Sequence, residues 1–256
     1  MSFNFEVEAG KSVKLTTAGK YCDRDIVVSA TGGGGYTEAD LQAKYDEGAR
    51  STIEKMNRVN YLFACDTNNV YNRDLFNIFM SADLSKIRRA QYVFHTNNWL
   101  TEFVVPDTLR PTSVHGFFQY CTAVKRVSGF ENIPYVQVIT DVFNGCTSLE
   151  DAGAINFTGV TYVVRTFQNC TALKHITAVG TIAVSLDIHW STGLTKASIE
   201  SIVNALSTTT SGLSITFSKT AVNKAFETAE GANNGSTSAE WTALANTRSN
   251  WTINLV

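Results

Sequence analysis

Phe118-Gln-Tyr-Cys121-Thr-Ala-Val124-Lys-Arg-Val127, Phe143-Asn-Gly-Cys146-Thr-Ser-Leu149-Glu-Asp-Ala152 and Phe167-Gln-Asn-Cys170-Thr-Ala-Leu173-Lys-His-Ile176 are three copies of one frame. In each, an aromatic residue, a cysteine, an aliphatic residue and a second small or aliphatic residue fall three positions apart, and threonine always follows the cysteine. The cysteines are separated by 25 and then 24 residues. One unit upstream, Phe94-His-Thr-Asn97-Asn-Trp-Leu100-Thr-Glu-Phe103 fits the same frame with asparagine in the cysteine slot. A further copy between Phe79 and Ile87 comes into register only with a deletion.

A self-similar period of this length is the signature of a solenoid. One such unit cannot bury its apolar face alone, so successive units stack and share a continuous core. Phe118, Phe143 and Phe167 are expected to form an aromatic ladder, and Val124, Leu149 and Leu173 an aliphatic one. The cysteine or asparagine is expected where the chain turns, a small buried group whose thiol or amide donates to turn carbonyls.

These residues resemble the BspA-like leucine-rich repeats, whose units read aromatic, two residues, Cys, two residues, Leu, two residues, Ile. The likeness covers Phe118–Thr177 and Phe94–Pro106, a little over a quarter of the chain, and departs at Ala152, which takes the place of the final aliphatic residue. It implies short strands after each aliphatic position, near Phe103–Val105, Val127–Phe130, Ala152–Ile155 and Ile176–Ala178, lining one face of a curved stack.

Residues 1–30 read as three strands, Phe3–Val7, Ser12–Thr16 and Asp25–Ser29, with Gly10 and Gly19 as turns. Thirty residues are too few for a core of their own, so the segment is expected to dock on another surface. Lys11 to Tyr21, with Asp25-Ile-Val-Val28, is similar to small β modules at the start of tail-associated phage proteins. Residues 31–36 are a glycine-rich linker. Over residues 37–59, Leu41, Tyr45, Ala49, Ile53 and Met56 form a helical apolar stripe, with Thr37 as its cap. That stripe either covers the first repeat or associates with its copies in a homotrimer. Residues 60–190 carry the repeats. Residues 191–256 read as an α+β cap: a helix from Thr195 to Leu206, a strand at Leu213–Phe217, helices at Thr220–Ala229 and Ser238–Arg248, a loop over residues 230–236, and a strand at Trp251–Leu255. Such a cap is similar to the ends of many BspA-like proteins. The fold class is thus α+β: a leucine-rich-repeat-like β solenoid of about four to five rungs between a small amino-terminal β module with its linker helix and an α+β carboxyl-terminal cap.

Of the 256 residues 44% are hydrophobic, enough for a core, and only 17% are charged. The net charge of -2 and the absence of a basic run argue against nucleic acid as a partner. The longest apolar run, Tyr61–Cys65, is too short to cross a bilayer, so no membrane insertion is expected. The first twelve residues lack a secretory pattern, so the chain is expected to be made in the cytoplasm and to stay there unless lysis or a dedicated machine releases it. Five cysteines at wide spacing are neither a disulfide framework nor a zinc set. Ala9-Gly10-Lys11-Ser12 ends like a phosphate loop, but Phe5 stands where its first glycine belongs. His95, His115, His175 and His189 are isolated, and His95 and His175 read as surface positions of the repeat. Glu150 and Asp151 are adjacent on a strand and point to opposite faces, which a glycosidase pair cannot do. No catalytic residue, metal or cofactor is therefore expected.

A solenoid without a catalytic constellation is a binding surface by default. The candidate contact residues lie between the buried slots: Lys125, Arg126 and Ser128; Glu150 and Asp151; Lys174, His175 and Thr177. The resemblances imply a non-enzymatic virion protein of a bacteriophage tail or baseplate. It would be held to other tail proteins through residues 1–30 and present its repeats to a host surface protein or glycan. The alternatives are a BspA-like adhesin at a bacterial cell surface and, more distantly, a glycan-degrading tail enzyme.

Overall fold

The computed structural model describes residues 12–16, 25–29, 38–60, 62–64, 73–134, 136–226 and 238–256. The fold is α+β, with five α-helices and two parallel sheets among the described residues. At the amino end β1 (Ser12–Thr16) and β2 (Asp25–Ser29) pair antiparallel, matching two of the strands expected there. The strand expected at Phe3–Val7, the glycine linker, Thr37, Cys22, Cys65 and the loop over residues 230–236 lie outside the described residues. Helix α1 (Glu38–Lys55) and helix α2 (Arg73–Ser81) follow. The larger sheet is built from β3 (Glu102–Val104), β4 (Arg126–Ser128), β5 (Asp151–Asn156) and β6 (His175–Val179) in chain order. After it come β7 (Leu186–Asp187), α3 (Lys196–Ala205), β8 (Leu213–Phe217), α4 (Lys219–Ala225), α5 (Ala239–Asn246) and β9 (Trp251–Leu255). Strands β7, β8 and β9 form the second parallel sheet.

Each repeat contributes one strand to the larger sheet. Glu102 lies opposite Arg126, Arg126 opposite Asp151, and Asp151 opposite His175, so neighbouring strands are offset by 24, 25 and 24 residues. A second line of parallel bridges runs Arg89, Ser113, Val138 and Tyr162 at the same offsets. Parallel strands require a long connection between partners, and here the rest of each unit supplies it. Between the two lines the aromatic slots stack: Phe94 on Phe118 at 5.4 Å, Phe118 on Phe143 at 5.7 Å and Phe143 on Phe167 at 5.8 Å, with ring planes within 18° of parallel. Val124, Leu149 and Leu173 are fully buried beside them, with Leu100 at 3% exposure.

The cysteine slot has a defined duty. Each cysteine amide bonds back to the phenylalanine carbonyl of its own unit, and its thiol donates to the phenylalanine carbonyl of the unit before. The three thiol bonds are Cys121 Sγ to Phe94 O at 2.8 Å, Cys146 Sγ to Phe118 O at 3.0 Å and Cys170 Sγ to Phe143 O at 3.0 Å. Asn97 Nδ2 reaches the carbonyl of Phe63 at 3.3 Å in the same way. A small donor is required here because a buried carbonyl left short of partners costs free energy.

Several sequence expectations shift. The strand expected at Val127–Phe130 is β4, Arg126–Ser128, and Phe130 instead opens a 3-10 turn that carries its ring edge-on to Phe143 at 5.7 Å. Helix α1 ends at Lys55 rather than at Val59, since Arg58 bridges Arg89 and the Val59 amide bonds to the Arg89 carbonyl. The copy sought between Phe79 and Ile87 does not supply the next ring. Phe79 belongs to α2, and the ring stacked on Phe94 is Phe63, at 5.1 Å and 11°. Insertion of α2 lengthens this first offset from 24 to 31 residues. Beyond Phe167 the frame continues in weaker form, with buried Ile188, Ser191 and Leu194 at the three-residue step.

Both ends of the stack are covered. At one end Phe76 and Phe79 of α2 meet Phe63 edge-on, and α1 buries Ala49 and Ile53 while Arg50 bonds to the Ser81 carbonyl. The second half of the α1 stripe is therefore spent within the chain. At the other end Ser198 and Ser201 of α3 accept the Ile176 and Ala178 amides of edge strand β6 at 3.1 and 3.0 Å. Side-chain hydroxyls thus satisfy donors that would otherwise template another strand. Thr195 caps α3 through the Ser198 amide.

Candidate binding surfaces

The eight contact residues anticipated from sequence fall on β4, β5 and β6 and the residues just before them. In-register pairing places Arg126, Asp151 and His175 in one row, headed by Glu102. A second row holds Lys125, Glu150 and Lys174, chained by amide-to-carbonyl bonds of 2.9 Å from Glu150 to Lys125 and from Lys174 to Glu150. Ser128 lies opposite Val104, and Thr177 opposite Ala154. All eight are accessible to solvent, Asp151 the least. Glu150 accepts a hydrogen bond from Lys174 Nζ at 3.1 Å. That hydrogen bond, then the Lys174 charge and those of Lys125 and Arg126, hold the Glu150 carboxyl below its ordinary value. Glu102 and Arg126 are likewise in contact. Exposed pairs of this kind are screened by solvent and contribute little to stability. Signs alternate from unit to unit, so the rows are a rigid array with little net field. Beside β6 an open groove of about 320 Å³ is lined by Asp151, Gly153, His175, Thr177, Thr195 and Ser198.

A second cluster, on the turns outside the strands, escaped the sequence reading. In the units of Phe94, Phe118, Phe143 and Phe167 the residues two before and two after the ladder phenylalanine adopt left-handed backbone: Tyr92 and Thr96, Gly116 and Tyr120, Asp141 and Gly145, Arg165 and Asn169. Glycine is the cheap choice in that conformation, and six of these eight positions are not glycine. Tyr92 lies over Gly116 and Tyr120 over Gly145, so close that a Cβ on either glycine would stand 2.5 or 2.3 Å from a ring carbon. Asp141, with its side chain only 2% exposed, accepts from Arg165 Nε and Nη2 at 2.9 and 2.8 Å and from Asn144 Nδ2 at 2.9 Å. Asp141 in turn raises the guanidinium above its ordinary value, by hydrogen bonding first and by its charge second. His115 Nε2 sits 2.5 Å from the Tyr92 hydroxyl and 3.9 Å from Asp141. His95 is half-buried rather than a surface residue of its repeat, with its ring edge-on to Tyr92 at 5.7 Å and to Tyr120 at 5.8 Å. Burial holds its imidazole below the usual histidine range. The sequence signal was the pair Gly116 and Gly145, which occupy the first left-handed slot of one unit and the second of the next.

The three described cysteines, Cys121, Cys146 and Cys170, are buried free thiols. Burial pushes Cys146 up to about 12, and Cys121 and Cys170 rise for the same reason, with Cys146 nearby adding to each. Among the described residues no group of three or more His, Cys, Asp or Glu side chains could hold a metal ion, and no helix is long and apolar enough to cross a membrane. No protein-family model, curated protein or solved structure matches the chain.

Proposed function

We propose that residues 60–190 form a BspA-like β solenoid of about four to five rungs in a non-enzymatic component of a bacteriophage tail. Its strand rows meet a host-cell surface protein or glycan, and residues 1–30 attach the chain to other tail or baseplate proteins. The observation that carries the recognition role is the row Glu102, Arg126, Asp151 and His175, one solvent-accessible residue per unit at adjacent strand positions. Strand spacing, about 4.8 Å, presents such side chains as a fixed array that changes chemistry without disturbing the buried ladder. The pairing of β1 with β2 supports an attachment module, because two strands alone are marginal in water and need a further surface. The tail assignment rests on the likeness of residues 11–28 to phage modules.

The test uses the full chain and a variant lacking residues 1–30. The truncated chain should keep its circular dichroism spectrum and its adhesion to host cells, while losing incorporation into assembled particles. The double reversal Arg126→Glu with Lys174→Glu should lower cell adhesion at least tenfold. Normal incorporation of the truncated chain would refute the attachment role, and unchanged adhesion of the double variant would refute recognition by the strand rows.

A further inference from the structure

The turn cluster is arranged as a ligand site. All six non-glycine residues with positive φ among the described residues, Tyr92, Thr96, Tyr120, Asp141, Arg165 and Asn169, stand in the two left-handed slots. Left-handed backbone is uncommon and costly for bulky side chains, and clustered strain of this kind marks functional positions. Tyrosine and arginine are poor choices there on conformational grounds alone, so their retention calls for a role that glycine cannot fill. The rings are also held in place. Tyr120 packs on the bare backbone of Gly145 yet remains 47% exposed, and Tyr92 is fixed by Gly116 beneath it and by His115 at its hydroxyl. Arg165, with 56% of its side chain exposed, is oriented by two bonds to buried Asp141. These contacts orient the groups without a ligand, which lowers the entropic cost of binding.

We infer that Tyr120, Tyr92, His115 and Arg165 form a saccharide-binding site on the turn side of the repeats, separate from the strand rows. The chemistry selects the ligand class. The apolar part of the cluster is aromatic only, and its other members are hydroxyl, amide, imidazole and guanidinium groups, with the one carboxylate, Asp141, buried beneath Arg165. A protein partner buries a contiguous apolar core, which this patch lacks. A pyranose presents one C–H face and a rim of hydroxyls, matching a fixed aromatic ring beside bidentate donors. The site stands whether or not the chain belongs to a virion.

The full chain should be screened on an array of bacterial capsular, O-antigen and teichoic-acid glycans. Saturation-transfer NMR with glucose, galactose, rhamnose and N-acetylglucosamine would accompany it. At least one saccharide is expected to bind, with ring-proton saturation. Tyr120→Gly, which removes the ring while easing the backbone, should weaken binding at least tenfold. Tyr162→Ala, at an exposed tyrosine outside these slots, should leave affinity within twofold. Absence of binding to every glycan would overturn the inference. So would full affinity in Tyr120→Gly, or equal losses in Tyr162→Ala.

Discussion

Replacing Phe143 by alanine empties the middle of the aromatic column. Phe143 is 1% exposed and lies between Phe118 at 5.7 Å and Phe167 at 5.8 Å, with Phe130 edge-on at 5.7 Å. Loss of a buried phenylalanine side chain costs about 3–5 kcal/mol, transfer and cavity terms together. Collapse around the gap is opposed by the backbone. The Phe118 amide is tied to Val142 at 2.9 Å, the Phe143 amide to Thr166 at 3.0 Å, and the Phe143 carbonyl holds the Cys170 thiol at 3.0 Å. The neighbouring rings cannot close up without breaking those bonds, so we expect a loss of at least about 4 kcal/mol, in the upper half of the range. Phe167→Ala, which removes only one stacked partner, should cost about 1 kcal/mol less, the worth of one aromatic pair. For a chain of this size a loss of about 4 kcal/mol lowers Tm by about 8–16 °C. Urea unfolding followed by circular dichroism, with calorimetry on the same samples, measures both quantities. A loss below about 1 kcal/mol at unchanged m-value would mean that the site relaxes freely, and the stacked column would not be the source of stability.

Two further perturbations probe the turns and the thiols. Gly145→Ala combines a left-handed backbone (φ 79°) with a Cβ 2.3 Å from the Tyr120 ring, and should cost about 2–3 kcal/mol. In a Tyr120→Gly background the cost should fall to about 1 kcal/mol, whereas strict additivity in the double-mutant cycle would show that ring and glycine do not interact. In a chain with Cys22 and Cys65 replaced by serine, the three remaining thiols should resist an aromatic disulfide reagent at pH 8 until denaturant is added, and rapid native labelling would contradict their burial. A thiol raised in the folded state stabilises fully below its unfolded value near 9, and that contribution is lost as pH climbs toward about 12. Cys146→Ala should therefore show a shallower alkaline fall in Tm than the parent chain, and parallel curves would refute the assignment.

The buried frame was legible because it repeats. Phe118, Cys121 and Val124 recur at fixed offsets, and the offsets between successive cysteines equal those between paired strands. The carboxyl-terminal elements were legible from local signals: Thr195 caps α3, Ser238 stands at the start of α5, and Leu213–Phe217 is β8. The unit seeded by Phe63 was hidden by the insertion of α2, which breaks the period that a repeat reading depends on.

The turn cluster was hidden for a different reason. Its contacts join residues of unlike chemistry about one period apart, Tyr120 with Gly145 and Asp141 with Arg165, so a search for recurrence discards them. Left-handed backbone at Tyr92, Tyr120 and Arg165 is likewise imposed by the turn and not preferred by the residue. Periodic side-chain type alone determined which residues are buried and how far apart the units pair, because every unit must solve the same burial problem. Which exposed groups meet was decided only when the units stacked, since those contacts depend on differences between units and the period carries only what the units share.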